Sequence, residues 1–321
     1  MPEHWIALAL DSPLLMLLAV VLAILLPLPD SYHPLTFFRF FAQRLGQKVN
    51  PARERSRHQQ RLSGTLAIAV ALLPWLCILL AFVQLSALPQ VFEAILLYVL
   101  LDVSSKRQRI QKLQLALQHQ QLSLSRDLAS LSLLRQTSPL SALGLSKAAI
   151  ESLWLNFSQI WFSTLLWFIL FGIWPALVIR LLAILQQEWS PKLQHNHDFG
   201  VAIARLSDWL QKPGYWLCFF LICLRFRCRR SIQRYRQLAP GYFPRAQRAC
   251  LAAVSASLNC RLGGPVVYNT ENVQRDKIGQ TDPEPDHRTL KKALLMQQHL
   301  TGFSLVLLLA YVLLWWAAFL S

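Results

Sequence analysis

Two short polar stretches carry most of the chemistry this chain could do: FGVAIARLSD, from Phe199 to Asp208, and RLGGPVVY, from Arg261 to Tyr268. In the first, Arg205 and Asp208 stand three residues apart, so a helix would put them on one face. That spacing suits either a surface ion pair or a planar guanidinium aimed at a phosphate. In the second, Gly263 and Gly264 can take φ > 0 and let a ligand approach the backbone, while Pro265 fixes the exit. With Arg261 before it and Tyr268 after it, the turn reads as an anion-binding loop. Glu151 and Asn156 stand at the head of an apolar run. An ionisable group there either serves function or solvates a helix start, with Lys147 one turn earlier.

His195, His197 and Asp198 could ligate a metal, or simply face water in a polar loop; the metal ligands stay unknown. Arg225, Arg227, Arg229, Arg230, Arg234 and Arg236 read as a headgroup anchor, with phosphate recruitment as the other reading. No Walker loop, nucleophile elbow or dinucleotide fingerprint is present.

The elements that must position these residues are greasy. Apolar residues make up 54% of 321, charged residues 15%, and mean hydropathy is +0.35. The net charge of +16 comes from basic residues gathered beside apolar runs, as the positive-inside rule expects. Nucleic acid is therefore not expected as a partner. The six cysteines form no C-x-x-C pair, so packing is their expected role.

Candidate spans fall at 6–28, 64–85, 88–101 (short), 149–185 (broken near Gly172 and Pro175, one or two crossings), 215–226 (marginal) and 303–320. Polar segments at 39–61, 104–146 and 227–292 belong on the cytoplasmic side, which puts both termini outside. Within them, Ile110, Leu113, Leu117, Leu124, Leu128 and Leu131 share one face, predicting an amphipathic helix over 106–135. Residues 259–288 read as a polar, turn-rich connection. The sequence thus predicts an all-α polytopic integral membrane bundle of about 4–6 transmembrane helices, with amphipathic cytoplasmic helices. It would form a single membrane domain over 1–321, with the lipid bilayer as its first partner.

Both polar stretches resemble the adenosylcobinamide-phosphate synthase family (CbiB/CobD cobalamin-biosynthesis membrane proteins). The likeness extends to His33-Pro34, Arg61-Leu-Ser-Gly64, Ser125-Arg126, Arg135-Gln-Thr137, the Glu151 and Asn156 ends of a Glu-x-x-x-Glu-Asn motif, and Ile278-Gly279. It implies a bacterial inner-membrane protein with cytoplasmic functional loops. Its reaction would be an ATP- and Mg²⁺-dependent ligation of aminopropanol, or its phosphate, to adenosylcobyric acid. By that resemblance Glu151, Asn156 and Asp208 would be catalytic. Arg126, Arg135, Arg205, Arg261, Gly263, Gly264, Pro265 and Tyr268 would bind phosphate or the corrinoid. The partners implied are corrinoid and phosphate-bearing small molecules, with a second copy or another membrane protein beside them.

Several acids of the family pattern are replaced. Gln136 stands for the Asp of Arg-Asp-Thr, Leu155 for the second Glu, Gln159 for an Asp, and Ser207 for one of two paired aspartates. Such losses reduce or abolish chemistry that depends on metal and placed charge. The stretch from Leu153 to Phe157 and on to Pro175 is similar to the AmpE-type branch of inner-membrane proteins, which implies a non-catalytic sensor or regulator as the alternative.

Overall fold

Apolar patterning turns almost entirely into helix in this computed structural model, which describes residues 13–29, 32–51, 56–131, 133, 136–238, 241–268 and 271–320. In chain order the helices are α1 (Pro13–Leu25), α2 (Pro34–Val49), α3 (Arg57–Leu85), α4 (Pro89–Leu100), α5 (Ser104–Gln118), α6 (Leu122–Ser130) and α7 (Ala142–Phe157). A π-helical stretch at Ser158–Ser163 joins α7 to α8 (Thr164–Phe171), followed by α9 (Ile173–Glu188), α10 (Val201–Arg225), α11 (Cys228–Arg236) and α12 (Arg245–Leu258). Four short strands then precede α13 (His287–Leu320).

The chain divides into two compact units. One comprises Met1–Ser104, Thr164–Trp209 and Thr301–Ser321; the other comprises Ser105–Ser163 and Leu210–Leu300. In the first, α9 packs against α8, α4, α2 and α3, and α1 packs on α4. Leu177, Ile179, Leu181, Leu182 and Leu185 of α9 are all buried, as a helix apolar on every side must be. The expected break before it is real. Gly172 takes φ +82° between α8 and α9, and Pro175 falls in the first turn of α9, where no intrahelical donor is required.

Among the described residues, three helices are long and apolar enough to cross a membrane: Arg57–Leu85, Ala142–Phe171 and His287–Ala318. Helix α3 exposes Leu62, Leu66, Val70, Leu73, Ile78 and Phe82. Helix α13 exposes Val306, Leu309, Leu313 and Leu314. Apolar rows of this length facing outward need lipid rather than water. The protein is an all-α membrane protein. Of the segment expected at 6–28, residues 6–12 lie outside the described residues; 88–101 appears as the shorter α4, and 215–226 is the end of α10.

One expectation is corrected. The stripe over 106–135 is two helices, α5 and α6, separated where Gln120 takes φ +58°. That turn rotates the pattern, so Ile110, Leu113 and Leu117 are buried while Leu124 and Leu131 are exposed. Ser125 and Ala129 face inward in their place. Helix periodicity read straight through a left-handed residue loses its phase.

Within the first unit, segments that looked related in the sequence meet in space. Gly64 of Arg61-Leu-Ser-Gly64 lies so close to Phe199 that an added Cβ would stand 2.1 Å from the Phe199 carbonyl oxygen. One turn earlier, Arg61 Nη2 reaches Asp198 Oδ1 at 2.8 Å and its Nε donates to the same oxygen at 3.0 Å. Gly200 is equally tight, its would-be Cβ 2.1 Å from the Trp189 carbonyl oxygen. At the other end, His33 caps α2 by accepting the Leu35 N–H on Nδ1 at 3.2 Å, and its Nε2 lies 3.6 Å from Asp102. Close backbone packing and one shared carboxylate thus hold these segments together.

Gly64→Ala should destabilise the protein by about 1–3 kcal/mol, the usual cost of overpacking. Thermal unfolding of the detergent-solubilised variant checks this, and an unchanged midpoint would mean that the Gly64–Phe199 contact does not constrain the fold. Desolvation raises the Asp198 carboxyl, but hydrogen bonding and charge from Arg61, with His197 beside it, outweigh that and hold it below its ordinary value. Its stabilising effect is then full above the unfolded value of about 3.9 and lost as pH falls through the lower folded value. The difference in melting midpoint between wild type and Asp198→Asn should accordingly shrink below about pH 4.

Candidate functional site

The second unit gathers Glu151, the glycine turn and Arg261 around one hairpin. Helix α7 supplies Glu151, and it is held by an aromatic cluster a turn further on. Trp154 and Phe157 meet edge to face at 5.8 Å between centroids, and Phe157 meets Phe162 at 5.1 Å. Helix α12 lies against α7, and its run of small buried residues (Ala249, Cys250, Ala252, Ala253, Ala256) allows close approach. The π-helical stretch that follows α7 is wholly buried. Such wide turns persist where local packing or function demands them.

The hairpin consists of β1 (Leu262–Gly263) paired with β4 (Lys277–Ile278), and β2 (Val266–Tyr268) paired with β3 (Glu271–Val273), all antiparallel. Between the two ladders, residues 264–265 face residues 274–276, so the returning chain carries one extra residue. Pairing is interrupted there, and the buried side chain in the gap is Arg275. Its Nε donates to the Gly264 carbonyl at 3.0 Å, its Nη2 to Glu151 Oε2 at 3.1 Å, and its guanidinium lies 5.1 Å from the Phe243 ring centroid.

The glycines do what their type allows. Gly263 and Gly264 take φ +73° and +92°. A Cβ on Gly263 would stand 2.1 Å from the Asp276 carbonyl oxygen, so only glycine fits. The Gly263 N–H donates to Glu151 Oε1 at 2.7 Å, and the Gly264 N–H to the Asp276 carbonyl at 3.2 Å. Both turn amides thus point into the protein. Any anion held here must be held by side chains.

Two cations are placed for that. Arg261 Nε and Nη2 reach Glu284 Oε1 at 2.8 and 2.7 Å, and Lys147 Nζ lies 3.4 Å from both Glu284 oxygens. Lys147 therefore turns to Glu284, not to Glu151 on its own helix. Cys260, next to Arg261, is inert: burial first, then the nearby charge of Asp282, pushes its thiol up to about 12. Behind the hairpin, Arg234 pairs with Asp282 at 2.6 Å and donates to Ser255 at 2.8 Å. Gly279, at φ +75°, packs on that pair, which accounts for the Ile278-Gly279 motif.

The other predicted residues make contacts of their own. Asn156 accepts from Lys106 Nζ at 2.7 Å and donates to the Ser152 carbonyl at 2.7 Å. Arg126 donates twice to the Leu140 carbonyl, at 3.2 and 3.1 Å, which fixes the chain just before the Ser141 cap of α7. Pro265 is exposed. Arg135 and the Tyr268 side chain lie outside the described residues. Arg205 and Asp208 belong to the first unit, where Arg205 is exposed and Asp208 accepts from Gln186 at 3.0 Å. Among the described residues no group of three or more His, Cys, Asp or Glu could hold a metal.

Sequence reading missed Arg275, Lys147 and Glu284 as members of this centre. Their signal was faint: an arginine in a polar connection, a lysine on an apolar helix, and an acid between two prolines. Arg275→Met leaves Glu151 buried without its partner and should cost about 3–5 kcal/mol. The double variant Arg275→Met with Glu151→Leu should recover part of that loss. Thermal unfolding of Arg275→Met, of Glu151→Leu and of the double variant checks it; single variants that melt with the wild type would mean the pair does not hold the turn.

A family profile described as CobD/Cbib protein matches residues 16–297. A protein of Stutzerimonas stutzeri named cobalamin biosynthesis protein CobD is 32% identical over 279 residues, covering 86% of this chain and 90% of its own. A protein of the same name from Chromobacterium violaceum is 28% identical over 287 residues, covering 89% and 92%. Another from Sinorhizobium fredii is 28% identical over 258 residues, covering 77% and 78%. No solved structure matches the chain. With a match running through both units, this chain belongs to the CobD/CbiB family.

Proposed function

We propose that this chain acts in cobalamin biosynthesis, at the step that joins aminopropanol or its phosphate to adenosylcobyric acid. Family membership carries the coarser part of that statement. The finer part rests on one observation: Arg261 and Lys147 stand together, partly open to solvent, beside a rigid turn of two positive-φ glycines. Guanidinium and ammonium side by side suit a phosphate or carboxylate group. The amine substrate's phosphate, or the phosphates of ATP, would be bound there. Bound ATP would supply the activation that amide formation from a carboxylate needs.

This chain's own residues would bind and orient. Arg275 and Glu151 fix the turn, and Lys106 and Asn156 place a polar edge on α7. Mg²⁺ fits the described residues poorly, because Glu151 is already engaged by Arg275 and the Gly263 N–H, and no step is assigned to it. The functional loops would face the cytoplasm, following the basic segments around them.

A second reading, a non-catalytic regulator of the AmpE type, is favoured by what replaces the missing acids. Gln159 donates to Gln211 at 2.5 Å, and Ser207 donates to Gln186 at 2.9 Å, so two expected carboxylates are neutral and already hydrogen-bonded. Expression in a strain lacking the synthase, with corrinoids followed by mass spectrometry, separates the two. The first reading expects cobinamide phosphate to reappear, and Arg261→Ala and Arg205→Ala to lower it by about tenfold or more. Absence of product at normal expression, together with altered β-lactamase induction on deletion, would favour the regulator.

A further inference from the structure

The two ion pairs flanking the glycine turn differ in their access to solvent. Glu151 and Arg275 are closed, with side chains 4% and 3% exposed. Glu284 and Arg261 are open, at 31% and 29%, and Lys147 beside them is 13% exposed. The open pair is also geometrically poor. Arg261 directs both of its nitrogens at a single Glu284 oxygen rather than forking across two, and Lys147 stays 3.4 Å from each. One carboxylate carries too little charge to neutralise both cations. Two positive charges meet one negative one.

A phosphate monoester carries about −1.5 to −2 at pH 7 and three acceptor oxygens. It would neutralise Arg261 and Lys147 together and give each a separate oxygen. Glu284 could leave without unfolding its surroundings. Its loop is held by the backbone, where the Arg261 N–H donates to the Pro283 carbonyl at 2.9 Å, and prolines on either side limit how the loop can move. Only the side chain has to swing.

We propose that Glu284 is an internal counterion: it occupies the anion site of Arg261 and Lys147 until a phosphate-bearing small molecule displaces it. This rests on the reading above that the glycine-turn centre binds a phosphate. The device keeps two cations neutralised while the site is empty and sets a threshold that weakly charged solutes do not pass. Chloride or a lone carboxylate gains nothing over Glu284, whereas a phosphate does.

The test is titration of the full-length protein, purified in a non-ionic detergent, with inorganic phosphate and with pyrophosphate, followed by calorimetry. Glu284→Gln and Glu284→Ala should each bind about three- to tenfold tighter than wild type, the size expected for relief of a partly exposed ion pair. Arg261→Ala and Lys147→Ala should each lose binding. If wild type binds and loses binding in Arg261→Ala while both Glu284 variants bind no tighter, the counterion role is wrong and the phosphate site stands. If no variant binds phosphate although all melt cooperatively, both the counterion and the phosphate reading fall. Binding seen only in nanodiscs containing phosphatidic acid would overturn a soluble ligand in favour of a lipid headgroup.

Discussion

The buried contact between Arg275 and Glu151 is the constraint around which the second unit is organised. A guanidinium out of water needs both a counterion and acceptors for its several donors. Here Glu151 supplies the charge, the Gly264 carbonyl takes a second donor, and the Phe243 ring covers one face. Glu151 in turn receives the Gly263 N–H, so one carboxylate fixes a helix, a glycine turn and a returning strand. An apolar pair of similar volume could be as stable, since burying charge is costly. What it could not do is fix register. A slip of the hairpin by one residue would move Arg275 away from both partners and leave two orphaned charges.

The same economy governs the positions where the family pattern calls for acids. Gln159 lies in the π-helical stretch, buried, with its amide on Gln211. Ser207 and Asp208 share Gln186, the hydroxyl donating to its oxygen and the carboxylate accepting from its nitrogen. A carboxylate at 159 facing only Gln211 would need a cation or a metal to remain charged there. The amide needs neither. Among the described residues, Gln159 and Ser207 therefore each have a neutral hydrogen-bond partner.

The long apolar helices, the break at Gly172 and the positive φ of Gly263 and Gly264 could all be read from residue type, because each is a local rule. Apolar rows need lipid or core, and a left-handed turn in a tight space needs glycine. The hairpin was less legible: Val266-Val267-Tyr268 has β-forming residues, but three are too few to stand out in a polar connection. The amphipathic stripe failed at Gln120, a single left-handed residue that nothing nearby announces. Least legible was the pairing of Arg275 with Glu151, separated by 124 residues. Periodicity says which face a residue lies on and nothing about which distant charge it meets. Spacing alone also did not announce that Asp208 accepts from Gln186, 22 residues away.

Charge imbalance leaves several clusters short of carboxylate, and position decides which of them suits a ligand. With 32 Lys and Arg against 16 Asp and Glu, carboxylates must be shared. Asp198 serves Arg57 and Arg61, Asp282 serves Arg230 and Arg234, and Glu284 serves Arg261 and Lys147. Each group is left with surplus positive charge, so surplus alone selects nothing. Position does. Asp198 sits where Gly64 and Phe199 touch, and the Asp282 and Arg234 side chains are 8% and 10% exposed beneath the hairpin, so neither can give up its carboxylate without disturbing the packing. Glu284 alone among the three is about a third exposed and stands beside a turn already rigidified from behind. A site that must exchange one anion for another needs a rigid wall and a loosely held occupant, and in this unit the Arg275–Glu151 pair supplies the first while Glu284 supplies the second.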